Sequence, residues 1–218
     1  AAASALARAL EEVTVRVEGA EDVVPYPGLT AFSEQNKEFF FGRELEVEAM
    51  WRKLHRPHLQ GLIGPSGAGK SSFLRAGLIP AMPEGWDFLV LTPGSEPFIA
   101  LGQALAPKLA GDTEAMRELL HFGEPDVASA LISRWRNRHD EVLVIIDQFE
   151  ELFTLNTPEV QERFTKLLGS LAVEADVHVL LSMRDDFLYH CQAYEPLHPM
   201  LSEMTLLGPP TGAALRRA

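Results

Sequence analysis

The sequence predicts an α/β fold: a doubly wound, three-layer sandwich around a central, mainly parallel sheet of about five strands. Three observations carry that expectation. Short apolar runs alternate with helix-length segments along the chain, the pattern of parallel strands joined by right-handed helical crossovers. Val142-Leu143-Val144-Ile145-Ile146 is continuously apolar and rich in β-branched residues, as in a strand buried on both faces. Gly64-Pro65-Ser66-Gly67-Ala68-Gly69-Lys70-Ser71 stands between a short apolar run and a helix-opening segment; glycines so placed let a strand turn tightly into a helix.

Taken in order, residues 1–24 are Ala-rich and then acidic, and read as a linker or the tail of a preceding domain. Pro25-Tyr26-Pro27-Gly28-Leu29 is turn chemistry and opens a core that extends to about Gly208. From Glu44, a helix carries Val47, Met50, Trp51 and Leu54 on one stripe and ends before Pro57. Leu59–Ile63 reads as the first strand. The helix after the glycine loop should run from Ser72 to about Ile79, stopped by Pro80 and Pro83. Phe88-Leu89-Val90-Leu91-Thr92 is a second strand, closed by Pro93-Gly94. Residues 96–139 read as several helices. In the last of these Val127, Ala128, Leu131, Ile132 and Trp135 share a face, and Arg134, Arg136, Arg138 and His139 crowd the C-terminal end, where cations offset the helix dipole. Val142–Ile146 is the third strand. Val160, Phe164, Leu167, Leu168 and Leu171 mark a further helix, Val177–Leu181 a fourth strand ending at Ser182-Met183-Arg184, and Met204–Leu207 a fifth. Gly208-Pro209-Pro210-Thr211 leads into a new helix.

The apolar fraction of 46% is ample for a sizeable core. A formal net charge of −12 is the wrong sign for bulk electrostatic attraction to nucleic acid, so no direct nucleic-acid partner is expected. Cys191 is the only cysteine; no intrachain disulfide can form, which fits a reducing, cytoplasmic setting. No apolar run is long enough to span a bilayer, and the N-terminus lacks a basic-then-apolar signal layout. The start without methionine and the helical-looking end at Leu215-Arg216-Arg217-Ala218 suggest a segment of a longer polypeptide.

Residues Gly64 to Ser71 fit G-x-x-x-x-G-K-[ST], the phosphate-binding P-loop. Gly64, Gly67 and Gly69 allow a concave turn through Pro65 whose N–H groups, from Ser66 through Ala68 to Ser72, surround an anion, and the following helix adds its positive end. (Pro65 contributes shape alone, having no N–H.) Lys70 would reach the outer phosphates and Ser71 would ligate Mg²⁺. A second feature is needed: an acid at the end of another buried strand, to hold Mg²⁺ through its water shell. Asp147 supplies it. Glu150 and Glu151 are the candidate bases for the attacking water, with Gln148 able to orient that water instead; equally, one glutamate could favour the next helix's N-terminus. Arg184, at the end of the fourth strand, could sense the γ-phosphate or pair with Asp185 or Asp186. Phe40-Phe41-Gly42-Arg43-Glu44 could form an apolar slot for a base, with Arg43 reaching phosphate or ribose, although composition alone makes Phe39-Phe40-Phe41 core.

Four stretches occur here in one order: Phe41-Gly42-Arg43-Glu44, Gly64 to Ser71, Ile146-Asp147-Gln148-Phe149-Glu150-Glu151-Leu152-Phe153 and Ser182-Met183-Arg184-Asp185-Asp186-Phe187. Together they resemble the STAND group of P-loop ATPases (signal-transduction ATPases with numerous domains), and specifically the novel STAND NTPase module found ahead of WD-repeat propellers. Tyr26-Pro27-Gly28-Leu29 and Phe73-Leu74-Arg75-Ala76-Gly77-Leu78-Ile79-Pro80 also look like that module. The resemblance covers roughly residues 25–215. It implies a P-loop NTPase core over 25–208, ATP or ADP with Mg²⁺ as ligands, and a molecular switch whose nucleotide state controls conformation and homo-oligomerisation. It further implies that Phe41, Gly42 and Arg43 lie beside adenine and ribose, that Arg184 is the sensor arginine, and that residues 209–218 begin a helical lid. Flanking lid, WD-repeat and effector domains would be the partners. Gln148 agrees with this module but departs from STAND branches that carry an acid there.

Other readings are weaker. The loop spelling also occurs in ABC transporters, but residues 124–141 hold no Leu-Ser-Gly-Gly-Gln-type signature. A kinase would need an acceptor pocket, for which Arg134, Arg136 and Arg138 are the available cations. A non-hydrolysing nucleotide scaffold would share the whole site. His190, Cys191 and His198 match no zinc spacing.

Overall fold

The computed structural model describes residues 42–55, 58–118 and 125–209. The expected segments 1–24 and Tyr26–Leu29, Phe41, and the lid residues from 210 onward lie outside them. Within them, helix α1 (Glu44–Lys53) precedes strand β1 (Leu59–Ile63). After the glycine loop comes α2 (Lys70–Ser72), continued by a π-helix (Phe73–Leu78) and a 3₁₀ turn (Ile79–Ala81). There follow β2 (Trp86–Leu91), α3 (Pro97–Leu105), α4 (Thr113–Glu118) and α5 (Pro125–Arg136). The C-terminal half has β3 (Glu141–Ile146), α6 (Glu150–Leu155), α7 (Pro158–Val173), β4 (His178–Met183), α8 (Leu188–Cys191), α9 (His198–Ser202) and β5 (Met204–Leu206).

The five strands lie in the order β2-β3-β4-β1-β5, and every pairing is parallel. The expected fold class therefore holds, and the sheet is parallel throughout rather than mainly so. Side-chain alternation divides the core into two layers. Leu62, Leu143, Ile145 and Leu180 meet Val47 and Met50 of α1, Leu54 just after it, and Phe73, Leu74 and Leu78 of the π-helix. Leu59, Ile63, Leu89, Leu91, Val144, Ile146, Val179 and Leu181 meet α3, α5 and α7 on the other face. Trp135 and Phe164 are fully buried there.

Two segments depart from the expectation. The helix after the loop is not a single α-helix. The N–H of Ile79 bonds to the carbonyl of Leu74, five residues back. The wider turn leaves Phe73, Leu74, Ala76, Gly77 and Leu78 all buried, which a 3.6-residue period does not allow for. Pro80 sits inside the closing 3₁₀ turn instead of ending the helix. Strand β2 begins two residues early, at Trp86, in register with Glu141. Strand β4, by contrast, ends at Met183, within the expected Ser182-Met183-Arg184.

The early start of β2 has a chemical reason in Asp87. Its Oδ1 accepts from Lys108 Nζ at 2.6 Å and from the Phe88 N–H at 2.8 Å, and its Oδ2 accepts from Trp135 Nε1 at 2.8 Å. Burial alone would push this carboxyl up. The Lys108, Trp135 and Phe88 donors outweigh it and hold the group below the ordinary carboxylate range. Asp87→Ala should lower the unfolding free energy by about 2 kcal/mol, because the buried Trp135 N–H loses its acceptor. Since the folded-state value is depressed, this stabilisation is complete above about pH 4 and is lost as pH falls through the folded value. Urea melts between pH 7 and pH 3 check both points: the variant should be less stable at pH 7 and should lose less stability on acidification than the wild type.

Candidate functional site

The carboxyl ends of the strands gather the predicted residues, as expected for ligand sites in parallel sheets. The P-loop leaves β1, which lies between β4 and β5. Its glycines have different reasons to be there. Gly67 and Gly69 have φ of 76° and 83°, a left-handed backbone that disfavours other residues. A Cβ on either would meet nothing within 4 Å among the described residues, so the demand is conformational. Gly64 does not share that conformation, contrary to expectation. A Cβ there would run into the carbonyl oxygen of Leu207, so Gly64 is required by the close passage of the chain leaving β5. Pro65 and Ser66 are exposed on the loop, and Ala68 is buried beneath it. Ser71 and Ser72, in the first turn after Gly69, are half-buried.

Lys70 Nζ donates to the carbonyls of Gly64 at 2.8 Å and Pro65 at 3.0 Å. Burial lowers its ammonium from the ordinary range; Glu150 opposes this most, followed by Asp147 and Asp185, while Arg184 adds to the lowering. Asp147 ends β3 and is 4% exposed. One strand, β4, separates it from β1. Its N–H bonds to Leu91 O at 2.8 Å, and its Oδ1 accepts from the Gln148 N–H at 3.0 Å. Gln148 itself has φ of 53° and an exposed side chain. A positive φ at a non-glycine residue costs energy and recurs at functional sites. Phe149 is buried, and its N–H bonds to Ser182 O at 2.8 Å, pinning the start of α6 to β4.

The two glutamates of α6 point to different neighbours. Glu150 Oε2 accepts from the backbone N–H of Arg184 at 3.3 Å, and Glu150 is the foremost acid acting on Lys70. Glu151 Oε2 instead accepts from the Gly94 N–H at 3.2 Å. Asn156 Nδ2 braces the same loop through Gly94 O at 2.7 Å. Arg184 forms a two-pronged pair with Asp186, Nε to Oδ1 at 3.0 Å and Nη2 to Oδ2 at 2.5 Å; this partner holds its guanidinium above the ordinary range. It lies over the Phe187 ring at 5.6 Å.

At the other side of the loop, Gly42 has φ of 83° and its N–H bonds to Glu44 Oε1 at 3.1 Å. Arg43 is only 8% exposed. Its Nη2 donates to Gly208 O at 2.7 Å and to Ala68 O at 3.3 Å. Sequence reasoning missed this bridge, because its acceptors are backbone carbonyls, which no residue type announces. It also missed Asn156, and it named Asp185 only as a possible partner of Arg184, whereas Arg184 pairs with Asp186 and Asp185 acts on Lys70.

The remaining cations and ligand-type residues lie elsewhere. Arg134 pairs with Glu114, Glu118 and Asp112, Arg136 with Glu141 and Asp176, and Arg138 with Asp112. His190 stacks on Phe153 and Phe187, and His198 bonds to Gln192 O at 3.1 Å. Cys191 is buried, its thiol pushed up to about 12. Among the described residues no group of three or more His, Cys, Asp and Glu could hold a metal ion, and no helix is long and apolar enough to cross a membrane.

The family model for novel STAND NTPase 1 matches residues 25–218. The chain belongs to the novel STAND NTPase 1 family. It is thus a P-loop NTPase-type nucleotide-binding module, and the STAND resemblance read from its motifs holds. No curated protein matches this STAND chain. Among solved structures it is similar to a Walker-type ATPase of Pyrococcus abyssi, with 17% identity and a TM-score of 0.55 over 87% of this chain and 60% of that one. It is also similar to the ORC1 protein of Aeropyrum pernix, solved in complex with DNA, with 17% identity and a TM-score of 0.52 over 81% of this chain and 48% of that one. At such identity the likeness is one of fold. The STAND module spans less than two thirds of either protein.

Proposed function

We propose that this STAND module binds ATP or ADP with Mg²⁺ and hydrolyses ATP slowly, as the switch of a multidomain signalling or defence protein. The observation that carries the reading is the convergence of Lys70, Glu150 and Arg184 at one end of the sheet, with Glu150 acting on the first and bonded to the backbone of the third. In this reading the N–H groups of the loop from Ser66 to Ser72 cradle the phosphates. Lys70 exchanges the carbonyls of its own loop for β- and γ-phosphate oxygens. Glu150 positions and deprotonates the attacking water, and Arg184 leaves Asp186 to meet the γ-phosphate. Ser71 and Asp147 offer the one hydroxyl and one carboxylate that suit Mg²⁺, which keeps most of its waters and needs no protein cage. The ion would neutralise charge on the β- and γ-phosphates.

ATP and ADP would then favour different arrangements of core and lid, and only that difference in affinity can drive a switch. Flanking lid, WD-repeat and effector domains, homo-oligomerisation on activation and a cytoplasmic setting belong to the same proposal. The net charge of −12 keeps nucleic acid out of it. A non-hydrolysing scaffold is the second reading. It is favoured by the amide at Gln148, exposed and next to Asp147, where other STAND branches carry an acid. A kinase reading loses its acceptor site, since Arg134, Arg136 and Arg138 all have carboxylate partners.

The test is an equilibrium titration with a fluorescent ATP analogue, with Mg²⁺ and with a chelator, followed by phosphate release. Binding should weaken roughly tenfold or more in chelator, as expected for a metal bridging two phosphates. Equal affinity in both conditions would remove Mg²⁺ from the site, and no binding at all would overturn the assignment.

A further inference from the structure

The P-loop and the chain leaving β5 are joined at two points. Gly64 lies so close to the Leu207 carbonyl that no side chain fits between them. Arg43 spans the second gap, holding Ala68 O in the loop and Gly208 O beyond β5 with one Nη2. Leu207 is anchored by its N–H to Ile63 O at 2.7 Å and is 2% exposed. One residue further on, Gly208 is exposed, has no left-handed φ, and has nothing within 4 Å of a Cβ among the described residues. Leu207 is thus fixed, whereas Gly208 is held chiefly by Arg43 at its carbonyl.

We propose that Arg43 is a latch that couples phosphate occupancy of the P-loop to the Leu207–Gly208 hinge. This rests on the nucleotide-site reading above. A trans peptide points its C=O and N–H in opposite directions. With the Ala68 carbonyl turned toward Arg43, the Gly69 N–H is turned away from it, to the other side of the loop. An anion bound by that N–H polarises the peptide and makes Ala68 O a stronger acceptor, because hydrogen bonds in a chain reinforce one another. The guanidinium that answers this carbonyl also holds Gly208. The hinge therefore responds to the loop without touching the nucleotide. Arg43 is a positioning residue in this account: both bonds made by its Nη2 go to backbone carbonyls, and its Nη1 lies 3.6 Å from Glu46. A lysine retains the charge but not the planar fork.

Backbone hydrogen exchange of the peptide covering 204–209, in the full chain with and without saturating Mg²⁺ and ATP, reads the latch directly. In the wild type, nucleotide should slow exchange at Leu207 and Gly208 by about tenfold, the range of an ordinary coupling between sites. In Arg43→Gln that slowing should vanish at saturation, whatever the change in affinity, and Arg43→Lys should recover part of it. Should Arg43→Gln fail to melt cooperatively, Arg43→Lys carries the test with the same readout, an incomplete slowing being expected. Full protection at saturation in the variants overturns the latch. A variant that cannot be saturated makes Arg43 a ligand contact and also overturns it. Wild-type binding with an unresponsive hinge overturns the latch alone, whereas a wild type that binds no nucleotide overturns the site reading and the latch together.

Discussion

Lys70→Ala is expected to weaken Mg-ATP binding by about 150-fold, near 3 kcal/mol, the upper range for charge-assisted hydrogen bonds. The side chain already lies against the loop, its Nζ donating to Gly64 O and Pro65 O. Little ordering is then needed when it turns to phosphate. Its surroundings enlarge the loss. Glu150, Asp147 and Asp185 all act on it, so deleting the ammonium leaves those carboxylates facing a polyanion. Nearby like charges repel strongly where water is scarce. The fold should change little, because only two bonds to carbonyls of the same loop are deleted, and the one to Pro65 O is exposed to water. Titration of a fluorescent ATP analogue against wild type and variant, with thermal melts as the folding control, decides the matter. Unchanged affinity in a folded variant would overturn the P-loop assignment and everything built on it.

The sheet was legible because it is wholly parallel and buried. Val142–Ile146 needed no polar face, so its apolar run marked a strand without ambiguity. The P-loop was legible because Gly67 and Gly69 demand a backbone that few residues tolerate. What escaped were features made by backbone atoms. The π-helix at Phe73–Leu78 adds one residue to a turn, and nothing in its composition distinguishes it from an α-helix. The role of Gly64 depends on Leu207 O, and that of Arg43 on Ala68 O and Gly208 O; these partners lie far away in sequence. Asp87 carried no signal in the sequence because its partners, Lys108 and Trp135, come from the segment after α3 and from α5. Adjacent Glu150 and Glu151 could not be told apart by residue type. In the first turn of a short helix they point about 100° apart, and the surrounding fold gives one of them Arg184 and the other Gly94.

That difference leads to the second large effect. Glu150→Gln should cut phosphate release by about 10²- to 10³-fold while the variant still binds Mg-ATP, the loss expected when a general base becomes an amide of the same shape. Glutamine keeps an oxygen that can accept the Arg184 N–H, so the positions of α6 and β4 are preserved and the missing charge is what the assay reads. Removing that charge also removes the foremost acid acting on Lys70, so nucleotide affinity should rise slightly rather than fall. Tighter binding with slower turnover is hard to obtain from misfolding. Glu151→Gln should lower turnover by roughly threefold at most, because its oxygen serves the Gly94 N–H and an amide oxygen can accept the same bond. Parallel single-turnover measurements on the two variants separate the alternatives. Equal losses would mean that both carboxylates reach the water. A loss confined to Glu151→Gln would reverse the assignment. Full activity in both would leave Gln148, whose positive φ has an energetic cost at that position, as the residue that orients the water.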